Sequence, residues 1–411
     1  MTHLSEAPER SAAALRVREL FREAYGTEPD GVWSAPGRVN IIGEHVDYQD
    51  GLCLPMAIGH RCFVAARRID EPVLRLRSVQ AEAADLGGAE EVAIPGLAPG
   101  AVDGWAAYVA GVLWALPGER GASDGGVELL VDGQVPLGAG LSSSAALECA
   151  AAEAFDALYG LGTTAHERIR ASITAETEFA GASTGGLDQA ASVLSREGGA
   201  LLLDCRGFST TPVPWDLASQ DLALLICDTR AEHALVGGEY GDRRRDSEAA
   251  AAAIGVPTLR DVDPADLDEA LERITDESVG TGDAETVRRR ARHVITEIDR
   301  VREFARVLEE GTVREGIDRI GVLMNASHDS LRDDYEVTVT ELDVAVDAAR
   351  AAGAHGARMT GGGFGGSVIA LVEAAGASDV AAAIAETFSR EDLGTPEFFL
   401  AVPSDGAGAD A

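Results

Sequence analysis

Apolar residues recur along the chain in two rhythms that predict different elements. Leu15, Val17, Leu20 and Phe21, spaced among Arg and Glu over residues 5–25, predict an amphipathic helix ending near Gly26. Short apolar runs bounded by turn residues predict strands at 31–36, 62–67, 73–78, 126–131, 200–204, 356–360, 367–372 and 398–402. Residues 222–228 form an unbroken apolar run, expected of a strand buried on both faces. Helical spacing marks 105–116, 145–151, 165–180, 187–194, 338–352 and 380–388, and the chain from Tyr240 through 250 and over 287–331 is helical and charge-laced. The acidic block 261–283 reads as an insertion, and the Gly/Ala/Asp tail is expected to be disordered. Strands and helices interleave without strict alternation. The prediction is a mixed α/β fold of the α+β type in two lobes, residues 1–205 and 206–411.

One stretch breaks the pattern between the strand at 126–131 and the helix at 145–151: Pro136-Leu137-Gly138-Ala139-Gly140-Leu141-Ser142-Ser143-Ser144. Two glycines allow a tight turn and a close ligand approach, and three hydroxyls follow at a helix start. Exposed amides and a helix dipole directed at one spot make an anion site. The bland alternative is a helix capped by Ser142 or Ser143.

Composition narrows what the site can do. With 411 residues, 46% of them hydrophobic, the chain can bury substantial cores. No apolar run reaches membrane-spanning length, and the start at Met1 lacks the features of a secretory signal, so a cytoplasmic protein is expected. A formal charge of −35 argues against nucleic acid and anionic membranes as partners. Every basic residue counted as Lys or Arg is Arg. Without lysine there is no Walker A loop, no protein-kinase strand lysine and no Schiff base. The five cysteines, none in a Cys-x-x-Cys pair, are expected to be small buried hydrophobes.

Four clusters carry candidate chemistry. Arg38, Glu44, His45 and Asp47 suit a polyol, because carboxylates accept from vicinal hydroxyls and Arg stays cationic. Their Pro36-Gly37 entry favours a fixed turn, and the competing reading is a solvated loop of mutually paired charges. A metal at His45 is a weaker option, since the spacing matches no usual zinc pattern. Asp188 follows Gly185-Gly186 and opens a helix, where a carboxylate also serves to satisfy free amides. Glu176, or its competitor Glu178, could join Ser144 in holding Mg²⁺, which takes hard oxygen ligands. Tyr240 follows Gly237-Gly238 and offers a hydroxyl, while Arg243, Arg244 and Arg245 read equally as a solvated face. Lastly, the glycine run 361–366 suggests close backbone approach to a ligand or to the first glycine loop.

With these clusters in view, the chain resembles the galactokinases of the GHMP small-molecule kinase family. Three motifs stand in order at 36–50, 136–146 and 356–366. The first, Gly37-Arg38-Val39-Asn40-Ile41-Ile42-Gly43-Glu44-His45-Val46-Asp47-Tyr48, is specific to the galactokinase branch, and Glu239-Tyr240 with Arg243-Arg244 supports it. The resemblance runs from about residue 15 to 400. It implies the two-lobed GHMP kinase fold with the active site in the cleft between lobes. ATP phosphates would lie in the loop of Gly138, Ala139, Gly140, Leu141, Ser142, Ser143 and Ser144, with Mg²⁺ on Ser144 and Glu176. Asp188 matches the family's catalytic base and Arg38 the cation beside it; Glu44, His45, Asp47, Gly185 and Tyr240 match sugar contacts. Trp105 would lie near the adenine. The implied reaction is ATP-dependent phosphorylation of the anomeric hydroxyl of α-D-galactose by a monomer, with a 1-kinase for N-acetylgalactosamine or another hexose, then a non-catalytic sugar sensor, as alternatives. Two departures stand out: the family often has Thr where Val46 stands, and Cys-Gly-Ile-Met-Asp-Gln where Thr184-Gly185-Gly186-Leu187-Asp188-Gln189 stands. The second bears on how rigidly Asp188 is held.

Overall fold

The computed structural model describes residues 3–118, 122–182, 184–231, 238–279 and 283–410, so Ser183 and Gly237 of the two predicted turns lie outside the described residues. Among the described residues thirteen strands form three sheets. In chain order they are β1 (Gly31–Asn40), β2 (Leu52–Cys53), β3 (Pro55–Ile69), β4 (Val73–Ser78), β5 (Ala89–Ala93), β6 (Gly126–Gly133), β7 (Gly199–Asp204), β8 (Ser209–Pro214), β9 (Leu222–Asp228), β10 (Gly356–Thr360), β11 (Ser367–Glu373), β12 (Glu397–Ala401) and β13 (Gly408–Ala409). Six of them make one sheet in the order β13-β1-β3-β6-β4-β5; four make another, β10-β11-β9-β12; β2, β7 and β8 make the third. All pairings are antiparallel except β4 with β6.

The principal helices are α1 (Arg10–Tyr25), α2 (Trp105–Ala115), α3 (Ser143–Tyr159), α4 (Ala165–Thr174), α5 (Leu187–Leu194), α6 (Glu239–Ile254), α7 (Ala284–Glu310), α8 (Ile317–Ser330), α9 (Thr340–Ala351) and α10 (Ala377–Arg390). Local signals set their ends. The Glu9 carboxylate accepts from the Ser11 and Ala12 amides at the start of α1, and Gly26 in the left-handed region stops it. Thr164 and Glu167 form a reciprocal capping box on α4. The alanine-rich α3 packs across β1 and β3, burying Ala145, Ala146, Cys149, Ala150 and Ala154, so its small side chains let helix and sheet approach closely. The run 222–228 is β9, buried at every position in the middle of its sheet. All five cysteines are free and buried.

Several expectations need correction. The Pro36-Gly37 pair is not a turn but part of β1, where the register against β3 shifts between Pro36 and Arg38. The apolar segment 52–58 joins 62–67 in one long strand, β3, after the two-residue β2. Helix 165–180 ends at Thr174 and continues as one π-helical turn, Ala175–Phe179. The acidic block is no loose insertion: Ala270, Leu271 and Ile274 are buried, and its short helices pack on α7. The tail is also ordered through Asp410, because β13 pairs with β1 and the buried Arg61 guanidinium donates to the carbonyls of Asp405 (2.7 Å) and Gly406 (2.8 Å). Among the described residues no helix is long and apolar enough to cross a membrane.

Candidate active site

The turn between β6 and α3 is held from three sides. Leu141 O accepts from the Arg38 amide (3.1 Å), Gly140 O from Arg38 Nη1 (2.7 Å), and Ala139 O from Ser367 Oγ (2.7 Å). The second glycine run lies against it. Gly361 has φ +89°, and a Cβ there would sit 2.7 Å from Gly140 O, so glycine is required by both conformation and contact. Ser142 occupies the N-cap position of α3 at φ 62°, ψ 51°, yet makes no capping hydrogen bond. Its hydroxyl instead donates to Asp188 Oδ2 at 2.5 Å. The helix-cap alternative is therefore not realised at Ser142, and the strained backbone directs its side chain at another functional candidate.

Asp188 opens α5 and is gripped on its other oxygen by Arg38, with Nε at 2.8 Å and Nη2 at 2.7 Å from Oδ1. The register shift in β1 re-aims Arg38 from the sheet to this pairing, a common use of a bulge. Beside it, Ser144 Oγ donates to Glu176 Oε1 at 2.9 Å. Glu176 reaches this position from the π-turn, whose wider pitch turns it inward while Glu178 is left exposed. Burial, and then the nearby Asp188 charge, push the Glu176 carboxyl up to about 7. Gln189 Nε2 bridges Glu176 Oε2 (2.5 Å) and the fully buried Glu148 Oε2 (3.0 Å), the latter acid also raised well above its ordinary value by burial.

Loop 40–51 supplies the remaining groups. The Asp47 carboxylate lies against Gly185, where a Cβ would meet Oδ2 at 2.1 Å, and it accepts from the Tyr48 and Leu187 amides. Desolvation and then Asp188 raise it to about 6. Glu44 is buried, with Oε1 accepting from the Gly361 amide (3.0 Å) and Thr360 Oγ1 (3.3 Å), and Oε2 bonded by Asn40 Nδ2 (2.8 Å) and paired with Arg358 (2.6 Å). His45, at φ 59°, has Nδ1 2.8 Å from Tyr48 Oη and Nε2 3.1 Å from Gly362 O. A carbonyl only accepts, so Nε2 carries the proton; burial holds the ring neutral, with its pKa lowered to about 3. Tyr240 stacks near His45, ring centroids 5.3 Å apart. Of the arginines after it, Arg243 donates to the carbonyls of Tyr335 and Glu336, while Arg244 and Arg245 pair with Glu248 and Asp242.

These residues surround one cavity of about 570 Å³ lined by Arg38, Glu44, His45, Asp47, Ser142, Ser143, Ser144, Glu176, Asp188 and Tyr240. Ala139 is buried beneath the loop, and Trp105 does not line this cavity; its indole N–H donates to Gly87 O at 3.0 Å. The departure at 184–187 leaves the turn tied to α5, since Thr184 Oγ1 accepts from the Gly186 amide (3.2 Å) and lies 3.5 Å from Gln189 Oε1. Sequence reasoning missed the polar groups behind loop 40–51: His293, Glu297, Tyr335 and Arg358, all fully buried. The signal was present in His293 and Glu297, polar residues four apart on the face of α7 that also buries Val294, Ile298 and Val301.

Comparison with known proteins agrees with this geometry. Residues 19–68 match the galactokinase galactose-binding signature, 107–196 the GHMP kinases N-terminal domain, and 308–390 the GHMP kinases C-terminal domain. A galactokinase of Streptomyces coelicolor is 48% identical over 96% of this chain and 98% of its own. The human galactokinase is 40% identical over 97% of each chain. The crystal structure of Lactococcus lactis galactokinase complexed with galactose superposes with a TM-score of 0.87 at 30% identity, covering 96% of this chain and 99% of that one. Mevalonate kinase of Methanococcus jannaschii, at 17% identity and a TM-score of 0.58 over 91% of this chain and 98% of its own, shares the fold. A polyol-suited loop, a glycine phosphate turn and an ion-paired carboxylate converge in one cavity, and relatives match along the whole chain: it belongs to the galactokinase family of GHMP kinases.

Proposed function

We propose that this chain transfers the γ-phosphoryl group of ATP to the anomeric hydroxyl of α-D-galactose, giving galactose 1-phosphate and ADP. The observation that carries the reading is the Arg38–Asp188–Ser142 arrangement sharing a cavity with Ser144 and Glu176. Asp47 and Tyr240 hold the sugar, with Gly185 packed against the Asp47 carboxylate rather than lining the cavity, while Glu44 and His45, whose polar atoms already bond to protein, shape the wall against it. Asp188 accepts the hydroxyl proton as the new P–O bond forms, using a carboxylate lone pair that Arg38 and Ser142 leave open. Arg38 offsets the negative charge that gathers there, and amides of the 138–144 loop receive phosphate oxygens. With no lysine in the chain, these groups take the part that a lysine plays in other kinase classes.

Mg²⁺ fits the donor set. Ser144 and Glu176 present two hard oxygens 2.9 Å apart, with the Asp188 carboxylate nearby. Among the described residues no three His, Cys, Asp or Glu side chains gather to enclose an ion, as suits one that keeps water and phosphate ligands. When bound, the ion neutralises charge on the phosphate oxygens. The reading takes residues 1–205 as the sugar- and phosphate-binding lobe and 206–411 as the lobe bearing the second glycine loop, acting as a monomer in the cytoplasm. Coupled measurement of ADP release tests it across galactose, N-acetylgalactosamine, glucose and arabinose. Galactose should give the highest kcat/KM; preference for another sugar, or no release with any, would overturn it.

A further inference from the structure

From Asn40, the last residue of β1, the chain runs through residues 41–44 without regular structure toward the sugar-binding residues, and it is buried throughout. Their backbone polar groups need partners, and water does not reach them. The Ile41 amide donates to Leu54 O and Ile42 O accepts from the Leu54 amide, both at 3.0 Å; other partners are side chains from α7 and β10, distant in sequence. Arg358 Nη1 donates to Asn40 O and Ile41 O, both at 3.2 Å, while Nη2 pairs with the Glu44 carboxylate. Glu297 Oε1 accepts from the Gly43 amide at 2.9 Å and from Ser327 Oγ at 2.6 Å. His293 Nε2 meets Glu44 O at 3.1 Å, with Nδ1 on Ser330 Oγ at 3.0 Å. Glu297 is in turn fixed by Arg300 at 2.7 Å, and Arg358 lies 3.8 Å from Glu297, so Glu44, Arg358, Glu297 and Arg300 form one connected charged network, with neutral His293 bonded to the Glu44 carbonyl.

Burying such a network is a poor way to gain stability, because desolvation offsets most of the attraction between the charges. Its geometry suits a different task. A guanidinium can span two carbonyls and a carboxylate at fixed angles, which neither an apolar side chain nor a lysine reproduces. The segment it grips leads directly into Glu44, His45 and Asp47.

We propose that Arg358, Glu297 and His293 are positioning residues that set galactose recognition by locking loop 40–44 before substrate arrives. The inference rests on the proposed function, since it takes Asp47 and its neighbours as sugar contacts. None of the three lines the cavity, and ATP-side groups such as Ser144 and Glu176 sit on other elements. Their loss should therefore separate the two substrates. In Arg358→Met and Arg358→Lys the galactose KM should rise about 10–100-fold, the scale of a small misplacement of a binding group. The ATP KM should change less than about threefold in the same variants, the contrast that distinguishes positioning from general damage. Glu297→Gln keeps an acceptor oxygen for the Gly43 amide and should shift galactose KM in the same direction but by less. It also decides the matter if the Arg358 variants do not fold. Equal changes in both KM values, or a lowered melting temperature with unchanged galactose KM, would overturn the inference. Failure of the function itself would look different: wild-type protein would then not turn over galactose at all.

Discussion

At the scale of single residues, Asp47 offers the sharpest handle on the sugar half of the site. Burial and Asp188 raise its carboxyl to about 6, so the folded protein keeps a proton there that an unfolded chain has lost. That difference disfavours the folded state as pH rises from near the ordinary value of 3.8 through about 6, while the ionised form gained over the same range is the one that accepts sugar hydroxyls. With MgATP saturating, which removes Glu176 from the profile, kcat/KM for galactose should fall as pH drops through about 6. In Asp47→Asn that acid limb should vanish along with most of the activity. A limb that persists in the variant would assign it elsewhere. The residues themselves were legible in the sequence because charged groups packed between apolar segments are conspicuous. What could not be read was their division of labour. Asp47 accepts from the amides of Tyr48 and Leu187, whereas Glu44 and His45 are also bonded by residues about 250 to 320 positions away.

Among the elements, the two glycine turns work as a pair. The sequence reading anticipated close approach of the 361–366 run to the first loop, since so little side chain suits backbone contact, and Gly361 meets Gly140 as expected. Gly361→Ala would place a Cβ 2.7 Å from Gly140 O at φ +89°, and should destabilise the protein by about 1–3 kcal/mol. Because the displaced loop is the one assigned to phosphates, KM for ATP should rise several times more than KM for galactose; a larger effect on galactose would contradict the assignment. The π-turn at Ala175–Phe179 was not legible. Its apolar spacing reads as plain helix, and only the packing of Phe179 against Trp114 and α2 reveals the extra residue that turns Glu176 inward. Most other helices and strands followed hydrophobic period, with ends shifted where a bulge or a tertiary contact intervened, but β5, β8 and β13 were not anticipated.

For the whole molecule, the least predictable feature was the tail. Gly, Ala and Asp carry no packing signal, yet residues 404–410 close onto β1 and α5 through the buried Arg61 and the amides of Gly406 and Ala407, which donate to Ser195 O and Ser192 O. Arg61 itself lies just before the predicted strand 62–67 and carries no signal of its own. Removing residues 403–411 takes away the Asp405 and Gly406 carbonyls that accept from its guanidinium, two charge-assisted hydrogen bonds together worth about 3–6 kcal/mol. For a chain of this size the melting temperature should drop by about 3–10 °C; an unchanged melting temperature would show the closure to be incidental. In the proposed mechanism Asp188, held by Arg38 and Ser142, takes a proton from the anomeric hydroxyl of galactose. The most direct test of that step follows the product of wild-type protein and of Asp188→Asn with galactose and MgATP by phosphorus NMR, with galactose binding measured in parallel. Wild type should yield α-galactose 1-phosphate, and the variant should bind galactose but lose turnover by about 100–10,000-fold. Phosphate on another hydroxyl, or an Asp188→Asn enzyme that still turns over normally, would contradict it.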